Sequence, residues 1–336
     1  MAASVNKIMG PLEWLLLVAL AVIWSGAFFF NKIALHELPP FTVVLGRVVI
    51  AAMALHLFMV MTGRRVSYSP KLWGWFLVMG ALNNVIPFSL IVWGQTQIAS
   101  SLASILNATT PLWTVLLAHV FTRDERLAFN RLCGVILGLV GVVIIIGPDT
   151  IKGIGSNAAA QTAVVGGALF YALAGIWGKR FRDISPYATA SGQLTCSALL
   201  MIPIALIVDR PWNLPLPDMK SWVSIIMLAL LCTAIAYVIY FRILSTAGAT
   251  NLLLVTFLMP IGALLLGVFI LGERPEPRHF AGMAVIGLGL ASIDDRLKRR
   301  MVNRWRKSSP GPAQSLQTQS EQGFGKSGLE EREAVQ

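Results

Sequence analysis

Arg47 stands in the run TVVLGRVVIAAM, Thr42 to Met53, where every neighbour is small or apolar. A guanidinium keeps its proton at physiological pH and presents a planar fork of donors, the geometry that grips a carboxylate. Other polar residues recur at helical spacing. Asn107 and Thr110 are three apart and lead into Pro111, Tyr237 and Tyr240 are three apart, and Asn83-Asn84 sit one turn before Pro87. Residues three apart share a helix face. Trp24, Phe28 and Asn31 form an i, i+4, i+7 stripe with Ser25 beside it. One cation, several amides and hydroxyls and a wall of rings suit the holding of a small amphipathic molecule with one anionic end.

Bond-breaking chemistry finds less support. There is no His-Glu-x-x-His pair, phosphate-binding glycine loop or dinucleotide fingerprint. Cys133, Cys196 and Cys232 lie in separate apolar runs without metal-ligand spacing, and read as small apolar residues. The expectation is a protein that is not an enzyme and needs no metal and no cofactor.

The elements that position these residues follow from composition. Of 336 residues, 56% are hydrophobic and 13% charged, and the mean hydropathy is +0.70. Soluble domains carry about 25% charged residues, so a soluble surface is excluded. The apolar runs approach the roughly 20 residues that cross a bilayer, and strict alternation is absent, so the spans are helices rather than barrel strands. Ten are expected: Leu12–Leu35, Phe41–Thr62, Leu72–Trp93, Ile98–Phe121, Arg131–Gly147, Thr162–Gly178, Tyr187–Val208, Ser221–Ile243, Thr250–Leu271 and His279–Ile293. No cleaved signal peptide is expected, and the tail from Asp294 starts basic and then turns polar. With a cytoplasmic N-terminus, Arg64, Arg65 and Lys71, then Arg123, Arg126 and Arg131, then Lys179, Arg180 and Arg182, and the basic tail all fall inside. That asymmetry obeys the positive-inside rule and puts both termini in the cytoplasm. The net charge of +11 then reflects topology and attraction to anionic lipid heads, not nucleic-acid binding.

The chain repeats itself. PLWTVLLAHVFTRDERLAFNRLCGVILGLVGVV from Pro111 answers PIGALLLGVFILGERPEPRHFAGMAVIGLGLAS from Pro260, each with an early proline, a Glu-Arg pair and a glycine-marked last span. Tyr171 takes the place of Trp24, and Gln193 the place of Arg47. A unit with five spans is odd in number, so its second copy enters the membrane inverted, as in many secondary transporters. The predicted domains are residues 1–147, 162–294 and a tail, 295–336.

WSGAFFFNKIAL, LGRVVIAAMAL, ASSLASILNATTPLWTVLLAHVFTRDERL and LLVTFLMPIGALLLGVFILGER resemble an EamA-type member of the drug/metabolite transporter superfamily. The resemblance covers the chain to about residue 294. It implies a ten-helix carrier of the bacterial inner membrane, usually an exporter of amino acids, other metabolites or drugs. It also implies a central cavity built from the first four helices of each half.

The substrate-binding set expected to face that cavity is Trp24, Ser25, Phe28, Arg47, Asn83, Asn84, Asn107, Thr110, Tyr171, Gln193, Tyr237 and Tyr240. Pro87, Pro111 and Pro260 are hinge or gate candidates, because a proline within a span frees a backbone carbonyl. Arg47 has two compatible readings, bracing helix carbonyls and gripping an anion; the polar residues have the plainer reading of helix–helix hydrogen bonds. No Asp or Glu lies mid-span, and only His56 and His119 are candidate proton carriers, so facilitated transport or exchange is expected over proton coupling. Glu125-Arg126 and Glu273-Arg274 are expected to clamp turns. The partners are a small metabolite and the lipid bilayer, and the chain acts as a monomer or a homodimer. A proton-coupled antiporter and a passive channel or structural subunit are the alternatives.

Overall fold

The structure, a computed structural model, describes residues 9–63, 69–121, 129–146, 154–155, 157–262 and 276–293. The Glu125-Arg126 and Glu273-Arg274 pairs, the end of the ninth expected span and the tail lie outside these residues. The described residues are helical and contain no strand. The helices are α1 (Pro11–Ala34), α2 (Pro40–Met61), α3 (Pro70–Gln97), α4 (Ser100–Asn107), α5 (Thr110–Phe121), α6 (Phe129–Ile146), α7 (Ala158–Trp177), α8 (Pro186–Val208), α9 (Met219–Ala247), α10 (Ala249–Gly262) and α11 (Pro277–Ile293). Prolines open α1, α2, α3 and α8, where the missing N–H would have had no intrahelical partner.

Seven helical stretches are long and apolar enough to cross a membrane: Pro11–Ala34, Pro40–Met61, Pro70–Gln97, Leu102–Phe121, Ala158–Phe181, Pro186–Val208 and Met219–Ala247. Leu132–Ile145 and Ala249–Gly262 are shorter and apolar. Two of the long helices are not uniform. The π-helical turns Ala81–Val85 in α3 and Leu230–Ile235 in α9 begin eleven residues after each helix starts, Pro70 to Ala81 and Met219 to Leu230. A π turn closes i→i+5 bonds in place of i→i+4, here from the Ile86 amide to the Ala81 carbonyl, and so shifts the phase of the residues after it.

Helices from the two halves of the chain pack on one another. His56 Nδ1 in α2 lies 3.0 Å from Ser191 Oγ in α8, and Phe58 stacks on Tyr187 with centroids 5.4 Å apart. At one end of the bundle, Glu37 Oε2 accepts from the Asp218 amide and the Ser221 hydroxyl, both at 2.8 Å. At the same end, Asp209 Oδ2 accepts from the Thr42 amide at 2.6 Å and its hydroxyl at 3.0 Å. Asp218 caps α9 by accepting from the Ser221 amide, a bond that holds its carboxyl below the usual carboxylate range.

Glycines set the closest approaches. A methyl group at Gly141 in α6 would lie 2.8 Å from the Gly282 carbonyl in α11, and one at Gly289 would lie 2.7 Å from the Gly134 carbonyl. Between lipid-facing helices, where water supplies no drive to associate, such backbone contact is the source of adhesion. Gly141→Leu is expected to cost about 1–3 kcal/mol by overpacking and to lower the unfolding temperature in detergent. Gly287→Leu, at an exposed position with nothing within 4 Å, serves as the matched control and is expected to leave that temperature nearly unchanged. Equal shifts in the two variants would contradict the packing account.

Candidate functional site

A cavity of about 640 Å³, including its mouth, is lined by residues of α1, α2, α3, α4, α5, α7, α9 and α10. Its wall holds Trp24, Ala27, Phe28 and Asn31 from α1, Arg47 from α2, and Phe88, Ile91 and Val92 from α3. Asn107, Thr110, Tyr171, Tyr237, Tyr240, Leu253, Thr256 and Met259 complete it. The rings interlock. Trp24 meets Tyr237 edge-on at 6.4 Å and Tyr240 at 6.0 Å, and Phe88 meets Tyr171 at 6.4 Å.

Arg47 is the cation of this wall and is 5% exposed. Its guanidinium carbon lies 3.8 Å from the centre of the Phe88 ring, a cation–π contact strengthened by burial. Nε donates to Thr233 Oγ1 at 2.6 Å and Nη2 to the Cys232 carbonyl at 3.3 Å. Both partners belong to the π turn of α9. The Trp24 indole N–H donates to the same Cys232 carbonyl at 3.0 Å, so α1 and α2 converge on one backbone carbonyl of α9. A guanidinium carries five N–H donors, and these contacts engage two.

Pro87 and Pro111 act through the carbonyls four residues before them, Asn83 and Asn107. A residue with an N–H at position 87 would bond the Asn83 carbonyl; with Pro87 there, that oxygen accepts from the Tyr237 hydroxyl at 3.1 Å. Pro111 likewise frees the Asn107 carbonyl, which accepts from Thr110 Oγ1 at 2.6 Å, and the helix breaks between α4 and α5 just before it. For Pro260 the described residues show no corresponding partner.

The twelve residues expected to bind substrate therefore divide. Trp24, Phe28, Arg47, Asn107, Thr110, Tyr171, Tyr237 and Tyr240 are brought together around the cavity. Ser25, Asn83, Asn84 and Gln193 are buried outside its lining. Ser25 Oγ donates toward the carbonyls of Ala21 and Met259, Asn83 Nδ2 donates to Gln193 Oε1 at 3.2 Å, and Asn84 Nδ2 donates to Ser197 Oγ at 2.7 Å. Tyr237 ties this network to the cavity by a short bond to Asn84 Oδ1. Sequence reasoning passed over Phe88, Thr233 and Gln95. Phe88 follows Pro87 in a run where rings are common, and Thr233 and Gln95 act on partners far away in the chain.

Beyond Tyr240, toward the end of the bundle opposite Glu37, the rings of Phe241, Phe181 and Phe76 continue the packing. Tyr240 meets Phe241 at 5.0 Å, Phe181 meets Phe241 at 6.3 Å, and Phe76 stacks on Phe181 at 5.3 Å and 8°. His56 and His119 are exposed and outside the cavity lining. Among the described residues, no cluster of His, Cys, Asp and Glu is placed to hold a metal.

The sequence profile of the EamA-like transporter family matches residues 12–147 and, a second time, residues 159–293. The chain belongs to the EamA-like transporter family. It is similar to the uncharacterized transporter YoaV of Bacillus subtilis, 21% identical over 85% of this chain and 98% of that protein. It is also similar to the uncharacterized inner membrane transporter YedA of Escherichia coli K12, 24% identical over 80% of this chain and 86% of that one. Protein PecM of Dickeya dadantii is 24% identical over 67% of this chain and 75% of its own. A solved crystal structure 18% identical superposes with a TM-score of 0.66 over 83% of this chain and 96% of that one, which bears on the fold alone. This EamA-family chain is thus a multi-pass membrane protein of a transporter family, with apolar helices surrounding a cavity.

The bracing contacts of Arg47 can be weighed by mutation. Thr233→Val leaves a buried charged donor without its acceptor and is expected to destabilise the protein by about 1–3 kcal/mol. Arg47→Met combined with Thr233→Val is expected to cost less than the sum of the two single changes, by at least about 0.5 kcal/mol, as for residues in direct contact. Chemical unfolding in detergent followed by tryptophan fluorescence measures both; strict additivity would mean that the Arg47–Thr233 bond contributes nothing.

Proposed function

We propose that the chain is a secondary transporter that carries small amphipathic metabolites, amino acids or drug-like compounds among them, by alternating access through this cavity. The observation that carries the reading is Arg47: a charged fork with donors to spare, held in place from behind by α9, in a wall otherwise made of rings, aliphatic side chains and a few amides and hydroxyls. That arrangement supports recognition of a carboxylate attached to an apolar body. Alternating access needs a breakable closure at each end. The carboxylate links of Glu37 and Asp209 supply one at the first end, and the Phe76–Phe181–Phe241 packing supplies one at the other.

We read the two family matches as inverted five-helix repeats, ten spans in all, with both termini cytoplasmic and the protein in a bacterial inner membrane working as an exporter. The equal offset of the two π turns supports the duplication, and the charge asymmetry of the loops supports the orientation. Transport runs down a gradient or by exchange: the cavity lining contains no carboxylate and no histidine among the described residues, so it offers no embedded proton carrier of the usual kind.

Proteoliposomes loaded with buffer and given a mixed pool of amino acids and small organic acids, read by mass spectrometry with and without a pH gradient, test this directly. Saturable entry that stops at equilibrium and ignores the gradient is expected. Arg47→Gln is expected to raise the KM for anion-bearing solutes about ten- to a hundredfold, the value of one or two charge-assisted hydrogen bonds. Accumulation above equilibrium that collapses with the gradient would overturn the coupling assignment, and flux linear in concentration would make the protein a channel.

A further inference from the structure

Three residues of the cavity wall each leave a buried polar atom without a protein partner: Asn31 Oδ1, Asn107 Oδ1 and the Tyr240 hydroxyl. For Asn31 the neighbours fix which atom that is. The Phe28 carbonyl can only accept, so the Gln95 atom that meets it at 3.1 Å is the amide nitrogen Nε2. The same nitrogen donates to Ser100 Oγ at 3.0 Å. Gln95 therefore turns Oε1 toward Asn31, and Asn31 answers with Nδ2 at 3.1 Å. Reversing Asn31 alone would set two amide oxygens against each other, and reversing Gln95 as well would set its oxygen against the Phe28 carbonyl. Oδ1 is the end left over. Asn31 is 3% exposed and Gln95 is 0% exposed, so water does not compensate that oxygen freely. A buried acceptor with no donor is a standing cost to the fold, and a bound molecule that brings a donor removes it.

We infer that Asn31 reads a hydrogen-bond donor on the carried molecule, and that Gln95, outside the cavity wall, is the positioning residue that fixes the sense of the reading. The inference rests on the cavity being the transport site. Arg47 belongs to the same wall, so the solute is a small acid that carries an N–H or O–H donor besides its carboxylate, in preference to the plain acid. A site that must satisfy a buried polar group rejects the analogue lacking the complementary group more strongly than one that merely surrounds it.

Three probes share a ring and a carboxylate and differ in the donor: phenylalanine carries an ammonium, phenyllactate a hydroxyl, and 3-phenylpropionate neither. Initial uptake of each into proteoliposomes containing the full chain gives a KM ratio between donor-bearing and plain acids. Wild-type protein is expected to favour at least one donor-bearing acid by tenfold or more. Asn31→Leu is expected to collapse that ratio to about twofold or less, and Gln95→Leu, which frees the Asn31 amide to turn, is expected to narrow it in the same direction. If Asn31→Leu is not monodisperse by size exclusion, Asn31→Ala, which likewise removes the acceptor, takes its place. A general structural defect would lower uptake of all three probes together and leave the ratio alone, which contradicts the inference. If Arg47→Gln weakens uptake while the ratio is unchanged in both the Asn31 and the Gln95 variants, the inference fails and the cavity stands as the transport site. If neither Arg47→Gln nor the Asn31 variant changes any KM, the cavity itself is the wrong site. If wild-type protein carries none of the three, the solute class is wrong.

Discussion

A guanidinium cannot shed its charge inside a bilayer, and placing one near mid-membrane costs about 2.5–3.5 kcal/mol on insertion scales. The arrangement around Arg47 follows from that constraint. The π turn of α9 presents the Cys232 carbonyl and the Thr233 hydroxyl, and Arg47 donates to both. Thr233 in turn donates to the Leu228 carbonyl at 2.7 Å, so its oxygen is oriented to accept from the arginine. Phe88 supplies a ring face on another side. The charge is thereby paired on the face that meets α9 while the residue still belongs to the cavity wall. Bracing and solute recognition are compatible because a guanidinium has donors enough for both.

Freed backbone carbonyls are the recurring structural currency of this interior. Pro87 and Pro111 each release one, and a side-chain hydroxyl takes each: Tyr237 across the helix interface in the first case, Thr110 within the same chain segment in the second. In a hydrocarbon environment every such group must find a partner, and here the partner is a ring with a polar tip from a facing helix in one case and a hydroxyl of the same segment in the other. The result is a region where α3 and α9 both depart from regular geometry, joined to each other by the Tyr237–Asn84 bond and to α8 by the Asn84–Ser197 bond.

The sequence made some of this legible and hid the rest for identifiable reasons. Arg47, the Trp24–Phe28–Asn31 stripe, the Asn107/Thr110 pair and the Tyr237/Tyr240 pair could be placed on one cavity because period 3.6 within a single helix survives to the structure. Helix type was readable from hydropathy, and seven of the expected spans correspond to helices long and apolar enough to cross a membrane. Asn83, Asn84, Ser25 and Gln193 look identical in kind to the lining residues, yet they are absorbed by partners more than a hundred positions away or by the backbone of another helix, which spacing within one helix cannot reveal. The π turns were also invisible, since one extra residue per turn leaves no mark in composition. Gln95 lies near the end of its helix, outside any polar pair at helical spacing, and only its bond to Asn31 shows what it orders.

The central claim is that one arginine is at once the brace of α9 and the hand that meets the solute. Nitrogen NMR of arginine-labelled protein in nanodiscs, with the Arg47 resonances assigned by mutation, separates the two roles during titration with a carboxylate-bearing solute that gives saturable uptake. The account predicts that the terminal Nη signals shift with a midpoint matching the transport KM while Nε keeps its hydrogen-bonded position. Arg47 signals that stay fixed at saturating solute would contradict it, and would leave Arg47 as a brace alone.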